Sequence, residues 1–346
     1  MAGPASDEDA PSAQSVIMGF MASRVTFVAA ELGLADLLAA GAQSAATLAE
    51  RTGTHAPSLH RLLRALAAIG FLDEIEPGCF ALTALGTQLR TGVQGSVRNF
   101  ALMFGGERAW RSWGDLLHSV RTGESAATRL YGMNGFEYMA RNPEQAAIFN
   151  EAMAERTRGI GAAAVAAYDF SRFHTIVDVG GGNGALLAII LAAGPPTLRG
   201  IVYDLASGCD GARAHLEAAG VANRCEVMPG DLFHSVPAGA DAYILKNVIH
   251  DWDDEHSVAI LRCCRAAIPA KGTLLLVHRL LPERMEACAA HQQIAMMDMN
   301  MLVMPGGRER TEREFRELLE AAGFRWTATI PLHVAPAHTI IEAMPV

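Results

Sequence analysis

The segment Val177–Gly184 reads VDVGGGNG, and His250 lies 66 positions beyond its last glycine, in LKNVIHDWDDE. A glycine turn between a strand and a helix presents backbone N–H groups to a nucleoside cofactor, and a histidine beside it can take a proton near neutral pH. Gly180, Gly182 and Gly184 leave that turn without side chains, so a ligand can lie against the main chain. Three acids close three successive extended runs: Asp178 in VDV, Asp204 in IVYDL and Asp231 in PGDLF. Asp204 could accept hydrogen bonds from both hydroxyls of a ribose, and Asp231 one from an adenine amino group, with Phe233 against the ring. Each could equally cap the next helix, but three acids at three strand ends favour a ligand. The glycine pattern alone also satisfies a dinucleotide fingerprint, which leaves NAD open. The density of acids weighs against a pyrophosphate and for a cofactor that carries positive charge, as S-adenosylmethionine does on its ammonium and sulfonium.

These residues must be held by a framework, and the hydrophobic period shows one. From about Ser12 to Tyr168 apolar residues recur at three and four spacing, through SVIMGFMASRVTFVAAELGLADLL and PSLHRLLRALAAIG, which predicts helices. FLDEIEPGCFALTA follows, two extended runs around Pro77-Gly78, and so predicts a hairpin. Helix, turn, helix and hairpin spell a winged helix. After Tyr168 the period changes to short extended runs at 175–179, 199–203, 224–228, 241–245 and 273–277, alternating with helical stretches at 185–193, 209–219 and 255–268. That alternation predicts a parallel sheet covered on both faces. Helices near 286–303 and 311–322 and strands near 325–330 and 338–343 complete the expected α/β fold, a Rossmann-like, doubly wound, mainly parallel seven-stranded sheet. The expected domains are a disordered tail at 1–14, a helical winged-helix dimerisation domain at 15–168 and a catalytic domain at 169–346.

Composition narrows the function. A winged helix often reads DNA, which needs a positive face, yet residues 1–90 hold five arginines against nine acids, a net of −4. The whole chain carries −9, so nucleic acid and anionic membrane surfaces are not expected partners. The apolar helices at the N-terminus are better explained as surface shared with a second subunit, a homodimer. No apolar run reaches the roughly eighteen unbroken residues of a membrane span, and the start, MAGPASDEDAPSAQ, does not read as a secretory signal. A cytoplasmic protein is expected. Six cysteines without a C-x-x-C pair argue against zinc and against a disulfide framework.

The order VDVGGGNG, YDL, GDLF, LKNVIHDWDDE and GGRERTEREFRELLEAAGF, after a helical winged-helix region, resembles the small-molecule O-methyltransferases related to caffeate, hydroxyindole and anthracycline methyltransferases. The resemblance covers nearly the whole chain. It implies S-adenosylmethionine as methyl donor, with S-adenosylhomocysteine as product, a phenolic or similar hydroxyl as acceptor, no metal and an intertwined homodimer. By position it implies that Asp178, Gly180 and Gly182 form the methionine turn, Asp204 and Leu205 meet the ribose, and Asp231, Leu232 and Phe233 meet the adenine. Lys246 matches a lysine near the cofactor and Trp252 an aromatic packed on adenine.

Methyl transfer needs an oxygen nucleophile that is at least partly deprotonated, and a base with a pKa near 7 serves best at neutral pH. His250, just past the fourth strand, fits that role. Its other nitrogen needs an acceptor to fix the tautomer. In the family two glutamates flank the histidine. Glu309 in GGRERTE matches the second, but the fifth strand, TLLLVHRLLPE, carries His278 where relatives commonly have the first. A neutral His278 brings no negative charge, so support for an imidazolium would fall to Glu309 or Asp251. Zinc between His250 and His278 is disfavoured because the sequence offers no further ligand cluster.

The stretch EACAAHQQIAMMDMNMLV and the Met304 that follows it place five methionines around Asp298 and Asn300. Methionine packs well on flat rings, and Met297 and Met301 are the expected acceptor-pocket pair, with Phe149, Met153 and Phe136 opposite. The expected function is methylation of a hydroxyl on a small, typically aromatic metabolite with His250 as general base. His278 keeps a second reading open, in which the same fold and cofactor support C- or N-methylation, hydroxylation or decarboxylation. An NAD-dependent oxidoreductase and a metabolite-sensing regulator are the more distant alternatives.

Overall fold

The computed structural model describes residues 12–333 and 338–346. The chain divides into two compact units, one ending at Trp110 and the other beginning at Arg111. The first opens with a helix at Ala13–Glu31, whose N-cap Ser12 accepts a hydrogen bond from the Ser15 N–H. Residues 13 and 14, capped by Ser12, therefore belong to a helix rather than to the expected tail, and the rest of that tail lies outside the described residues. Among the described residues this is the one helix long and apolar enough to cross a membrane by length and composition. The sequence expectation counted unbroken apolar runs, and Arg24 interrupts this one. Val16, Ile17, Phe20 and Met21 along it are exposed.

The winged helix forms as expected. Helices Ala45–Thr52 and Ala56–Ala68 are followed by strands Leu72–Glu76 and Cys79–Leu82, turned at Gly78 with φ 77°. A short strand, Gln43–Ser44, adds to the second of these. Leu34, Leu48, Leu63, Leu66 and Phe80 bury the inner faces. The leucines at 59, 63 and 66 recur at helical spacing, which is what points them inward together.

The second unit holds the seven-stranded sheet. Numbered within this sheet, its strands are β1 (Thr175–Val179), β2 (Arg199–Asp204), β3 (Cys225–Pro229), β4 (Ala242–Lys246), β5 (Thr273–His278), β6 (Phe324–Leu332) and β7 (His338–Pro345). Their order across the sheet is β6-β7-β5-β4-β1-β2-β3. β1 to β5 and β6 run in one direction, and β7 alone is reversed, pairing antiparallel with β5 and β6 on either side. Strand residues alternate between two cores. Val177, Val179, Tyr243, Leu245, Leu274 and Leu276 face the helices Asp254–Ala267 and Glu312–Ala321. Ile176, Ala242, Ile244, Leu275 and Val277 face Pro143–Ala167 and Ala185–Ala193. Burial on both faces explains why these strands read as nearly continuous apolar runs.

Helix Pro143–Ala167 contributes Ile160 and Ala164 to the second of these cores. The compact units therefore part at 110/111, whereas the expected boundary at 168/169 falls inside the second unit, at the end of this helix. The chain runs β1, β2, β3 to one side and returns to β4 on the other, so the order of strands reverses between β1 and β4. Ligands of open α/β sheets lie outside the carboxyl ends of the strands at such a reversal. The glycine turn leaves β1 there and the His250 loop leaves β4.

Candidate active site

The turn after β1 is built by close packing. Gly180, Gly182 and Gly184 all have positive φ, and a Cβ on Gly180 would come within 2.6 Å of Val248 Cγ2, on the loop leaving β4. The Gly180 N–H donates to the Tyr203 carbonyl at 2.8 Å, and the Gly182 N–H donates to Asp204 Oδ2 at 2.8 Å. Leu205 N–H donates to Asp204 Oδ1 at 2.7 Å. Asp204 thus sits at the glycine turn, with its carboxyl pushed up by burial against these hydrogen bonds.

Asp178 lies under the same turn, buried, and its Oδ2 finds no partner among the described residues. Burial raises its carboxyl to about 7, against the pull of Lys246. Lys246, closing β4, has its own pKa lowered by burial. A buried carboxylate oxygen without a donor is costly, and an ammonium is the group that would satisfy it. This orphaned oxygen, with the bare glycine turn and Asp204, fits S-adenosylmethionine.

Asp231 is followed by a turn rather than by the helix it could have capped. Its carboxylate accepts from the Phe233 N–H at 2.9 Å and contacts His234 Nδ1 at 2.9 Å. Leu232 packs half-buried on the core. Phe233 meets Trp252 edge-on, with ring centroids 4.6 Å apart, and Phe136 stacks on Trp252 at 5.6 Å. Phe136, expected in the acceptor pocket, therefore joins the aromatic group around Trp252.

His250 is buried on the loop after β4. Its Nδ1 lies 3.0 Å from Glu309 Oε1, and its Nε2 lies 3.6 Å from Asp251 Oδ1. A carboxylate only accepts, so Nδ1 carries the proton and Nε2 keeps its lone pair. Burial pushes the imidazole down, but Glu309 and Asp251 outweigh it and hold the pKa above the ordinary value. Burial raises the Asp251 carboxyl to about 6. For Glu309 burial acts upward too, yet His250 and Arg279 hold it at about 2.

His278 stands where the sequence places it, closing β5, 5.5 Å from His250 between ring centroids and 5.3 Å from Phe315. It is fully buried, and among the described residues neither ring nitrogen has a partner. Burial and the neighbouring His250 press its pKa well below the ordinary value, so it is neutral. Glu309, which the sequence set beside His250, makes a third potential ligand that the disfavoured zinc reading had not counted: ligand atoms of His250, His278 and Glu309 lie within 4.8 Å of one another. The same carboxylate oxygen already receives Arg279 Nη1 at 2.9 Å.

Three positioning residues escaped the sequence reading. Arg279, the neighbour of His278, is 2% exposed and pairs with Glu309. Arg310, fully buried, donates to the carbonyls of Ile249 and Trp252 at 3.0 and 2.8 Å and to Asp254 Oδ1 at 2.9 and 2.8 Å. It clasps the loop that carries His250. Gly307 lies so close that a Cβ would fall 2.0 Å from the His250 carbonyl oxygen, which the Arg308 N–H also reaches at 2.8 Å. The glycine pair in GGRERTE was the available signal. Arg310→Met would take the charged donor from two carbonyls, leaving them only the longer contacts of Ser257 Oγ and the Trp252 N–H, and a hydrogen bond to a charged group is worth about 1.5–3 kcal/mol. We expect a stability loss of about 3 kcal/mol on that basis, read from the urea midpoint; an unchanged midpoint would contradict the clasp.

Helix Ala289–Val303 ties into this network, Asp298 accepting from the Glu309 N–H at 2.8 Å and Asn300 from Trp113 Nε1 at 3.2 Å. Met301 is buried and Met297 half-buried on it, while Phe149 and Met153 lie half-buried on Pro143–Ala167. The principal packing partners of Ala289–Val303 are helices Leu116–Thr122 and Ala126–Tyr131, and those of Pro143–Ala167 include Ala185–Ala193 and β6.

Comparison with known proteins settles the family. The model of the O-methyltransferase domain matches residues 113–325, and that of the O-methyltransferase dimerisation domain matches residues 14–92. The chain belongs to the O-methyltransferase family. Among the relatives of this O-methyltransferase, phenazine O-methyltransferase PhzM of Lysobacter antibioticus is 43% identical over 331 residues, 96% of this chain and 95% of that one. O-demethylpuromycin-O-methyltransferase of Streptomyces alboniger is 41% identical over 336 residues, 96% of this chain and 88% of that one. The crystal structure of NcsB1, an O-methyltransferase from neocarzinostatin biosynthesis in complex with S-adenosylmethionine and 2-hydroxy-5-methyl naphthoic acid, superposes with a TM-score of 0.78. Its identity is 35%, covering 94% of this chain and 96% of that one.

Proposed function

We propose that this O-methyltransferase moves a methyl group from S-adenosylmethionine to a hydroxyl of a small aromatic metabolite, with His250 as the base. The observation that carries the reading is the Nδ1 contact between His250 and the buried Glu309, which leaves Nε2 as the proton acceptor on the loop facing the glycine turn. Bound S-adenosylmethionine supplies an electrophilic methyl: the acceptor oxygen bonds to its carbon as the carbon–sulfur bond breaks, and the electron pair stays on sulfur. The chain's own residues do the rest. Glu309 orients the imidazole, Arg310 and Gly307 fix the loop, and Trp252, Phe233 and Phe136 form an aromatic wall for the adenine.

Phe149, Met153, Met297 and Met301 remain our candidates for acceptor contacts. The exposed apolar residues of Ala13–Glu31 fit burial against a second copy, consistent with the dimerisation-domain match. The alternative, other chemistry on the same cofactor, rests on the uncharged His278. Mass analysis of the product separates methylation from hydroxylation or decarboxylation, and its NMR spectrum separates O- from C- or N-methylation.

Asp178 gives a test of the cofactor site by pH. Its carboxyl, raised to about 7, is partly protonated in the free protein at neutral pH, and an ammonium beside it would favour the carboxylate. Binding of S-adenosylhomocysteine near pH 7 should therefore release protons, seen calorimetrically as heat that varies with the buffer's ionisation enthalpy. Asp178→Asn should abolish that release and weaken binding about tenfold or more. Proton-neutral binding by the wild type would rule this role out.

A further inference from the structure

Three side chains that meet at the base have lone pairs to spare. His250, His278 and Glu309 are all buried, and a nitrogen from each histidine and an oxygen from the glutamate lie within 4.8 Å of one another. Both ring nitrogens of His278 and Oε2 of Glu309 are without a hydrogen-bond partner among the described residues. Buried polar atoms left in that state call for a water or an ion. The sequence argued against zinc for want of a further ligand, and the fold brings that ligand in from the segment before Glu312–Ala321. Two imidazoles and a carboxylate suit zinc and its neighbours among the divalent transition ions, whereas magnesium and calcium prefer oxygen ligands.

We propose that His250, His278 and Glu309 form a reversible site for a divalent transition ion of the zinc class, and that an ion held there switches methyl transfer off. The proposal rests on the reading of His250 as base and adds a control over it. Ligand atoms around a tetrahedral zinc stand about 3.3–3.6 Å apart, from bonds of about 2.0–2.2 Å, so the three close by up to about 1.5 Å. His278 can turn without giving up a hydrogen bond, because it has none among the described residues. Arg279 stays on Glu309 Oε1 while Oε2 turns to the ion. His250, with a tenth of its side chain exposed, is the ligand that an arriving ion meets first, and three protein ligands leave a fourth position for water. The consequence for the base is the same whichever nitrogen of His250 binds. An ion on Nε2 takes the lone pair that would receive the acceptor's proton. An ion on Nδ1 displaces the proton there to Nε2, and that nitrogen then donates instead of accepting. Either way the imidazole stays neutral and no proton is left over. Arg279 and Lys246 are cations close by that oppose a further positive charge, so the ion is held loosely enough for a chelator to remove it.

The test uses the full-length enzyme stripped with a chelator, first with cobalt(II) alone as the probe. Cobalt on two imidazoles and a carboxylate should give the visible absorption of a four-coordinate ion, saturate at a single equivalent per chain and be displaced by zinc. His278→Leu removes a ligand whose ring has no hydrogen bond to lose. It should weaken zinc binding by about a hundredfold or more, at least the loss typical of an outer-shell partner. Binding of S-adenosylhomocysteine by the variant checks its fold, and the wild-type cobalt spectrum stands without it. Turnover is then read on whichever phenol the stripped enzyme methylates fastest. Saturating zinc should lower kcat by about two orders of magnitude, as loss of the general base does, and chelator should restore it. The His278→Leu variant, whatever its own rate, should be indifferent to the same zinc concentration. No cobalt spectrum in the wild type, thiolate charge-transfer bands in its place, or equal zinc binding by the variant would overturn the site and leave methyl transfer intact. Zinc that binds there and leaves the rate unchanged, or raises it, would overturn the switch. A stripped enzyme that methylates no hydroxyl would overturn the reading of function, and the cobalt spectrum would still report on the site.

Discussion

His250→Ala should lower kcat by about two orders of magnitude or more, the usual scale for loss of a general base, while affinity for S-adenosylhomocysteine stays within about threefold. Alanine removes Nε2, the proposed proton acceptor, but leaves the loop's other supports in place. Those supports are main-chain and arginine contacts: Arg310 on the carbonyls of Ile249 and Trp252, and the Arg308 N–H on the carbonyl of residue 250 itself. The cofactor turn does not depend on the imidazole. Steady-state kinetics beside calorimetry separates the two effects, and undiminished turnover would end the assignment of His250 as base.

Glu309→Gln should be nearly as damaging to kcat, about a hundredfold by the logic of an imidazole held in the wrong tautomer. A glutamine can offer its NH2 to Nδ1, which drives the ring proton to Nε2, where the acceptor needs a lone pair. The same substitution leaves Arg279 as a buried cation without its partner, which costs about 3–5 kcal/mol. The pH dependence has a definite sign. The Glu309 carboxyl is held at about 2 against an ordinary 4.5, so the stability it confers is complete above 4.5 and is lost as pH falls toward 2. The gap in urea midpoint between wild type and variant should therefore be widest near neutrality and close over that acid range. Histidine NMR titration should also find the His250 imidazole less basic in the variant. An unaltered titration together with preserved kcat would show that Glu309 does not orient the ring.

What the sequence disclosed, and what it withheld, follows from the range of the forces involved. The strands at 175–179, 199–204 and 273–278 were readable because each needs only its own run of apolar residues to declare it. The glycine turn was readable because positive φ and the approach of Val248 restrict it to a residue without a side chain. Asp231 shows the limit of such reading, since its carboxylate is engaged by the next turn. Arg279 and Arg310 were invisible because their partners are 30 and 56 residues away, and nothing local in an arginine announces which distant acid it will meet. The expected boundary at 168/169 and the division of the compact units at 110/111 differ for a related reason. Helical period in 143–167 announces a helix, but only packing decides that Ile160 and Ala164 turn toward the sheet. His278 was the informative oddity, and its lack of any hydrogen-bonding partner could be seen only in three dimensions.

The clasp of Arg310 and the flush fit of Gly307 have a consequence for how such an enzyme can change. Neither passes through position 278, so the placement of His250 is mechanically independent of its buried neighbour there. A charge introduced at 278 would alter the electrostatics around His250 without disturbing the alignment of the parts. Lineages, or protein engineers, can vary that field while the aim is kept by residues that stay fixed.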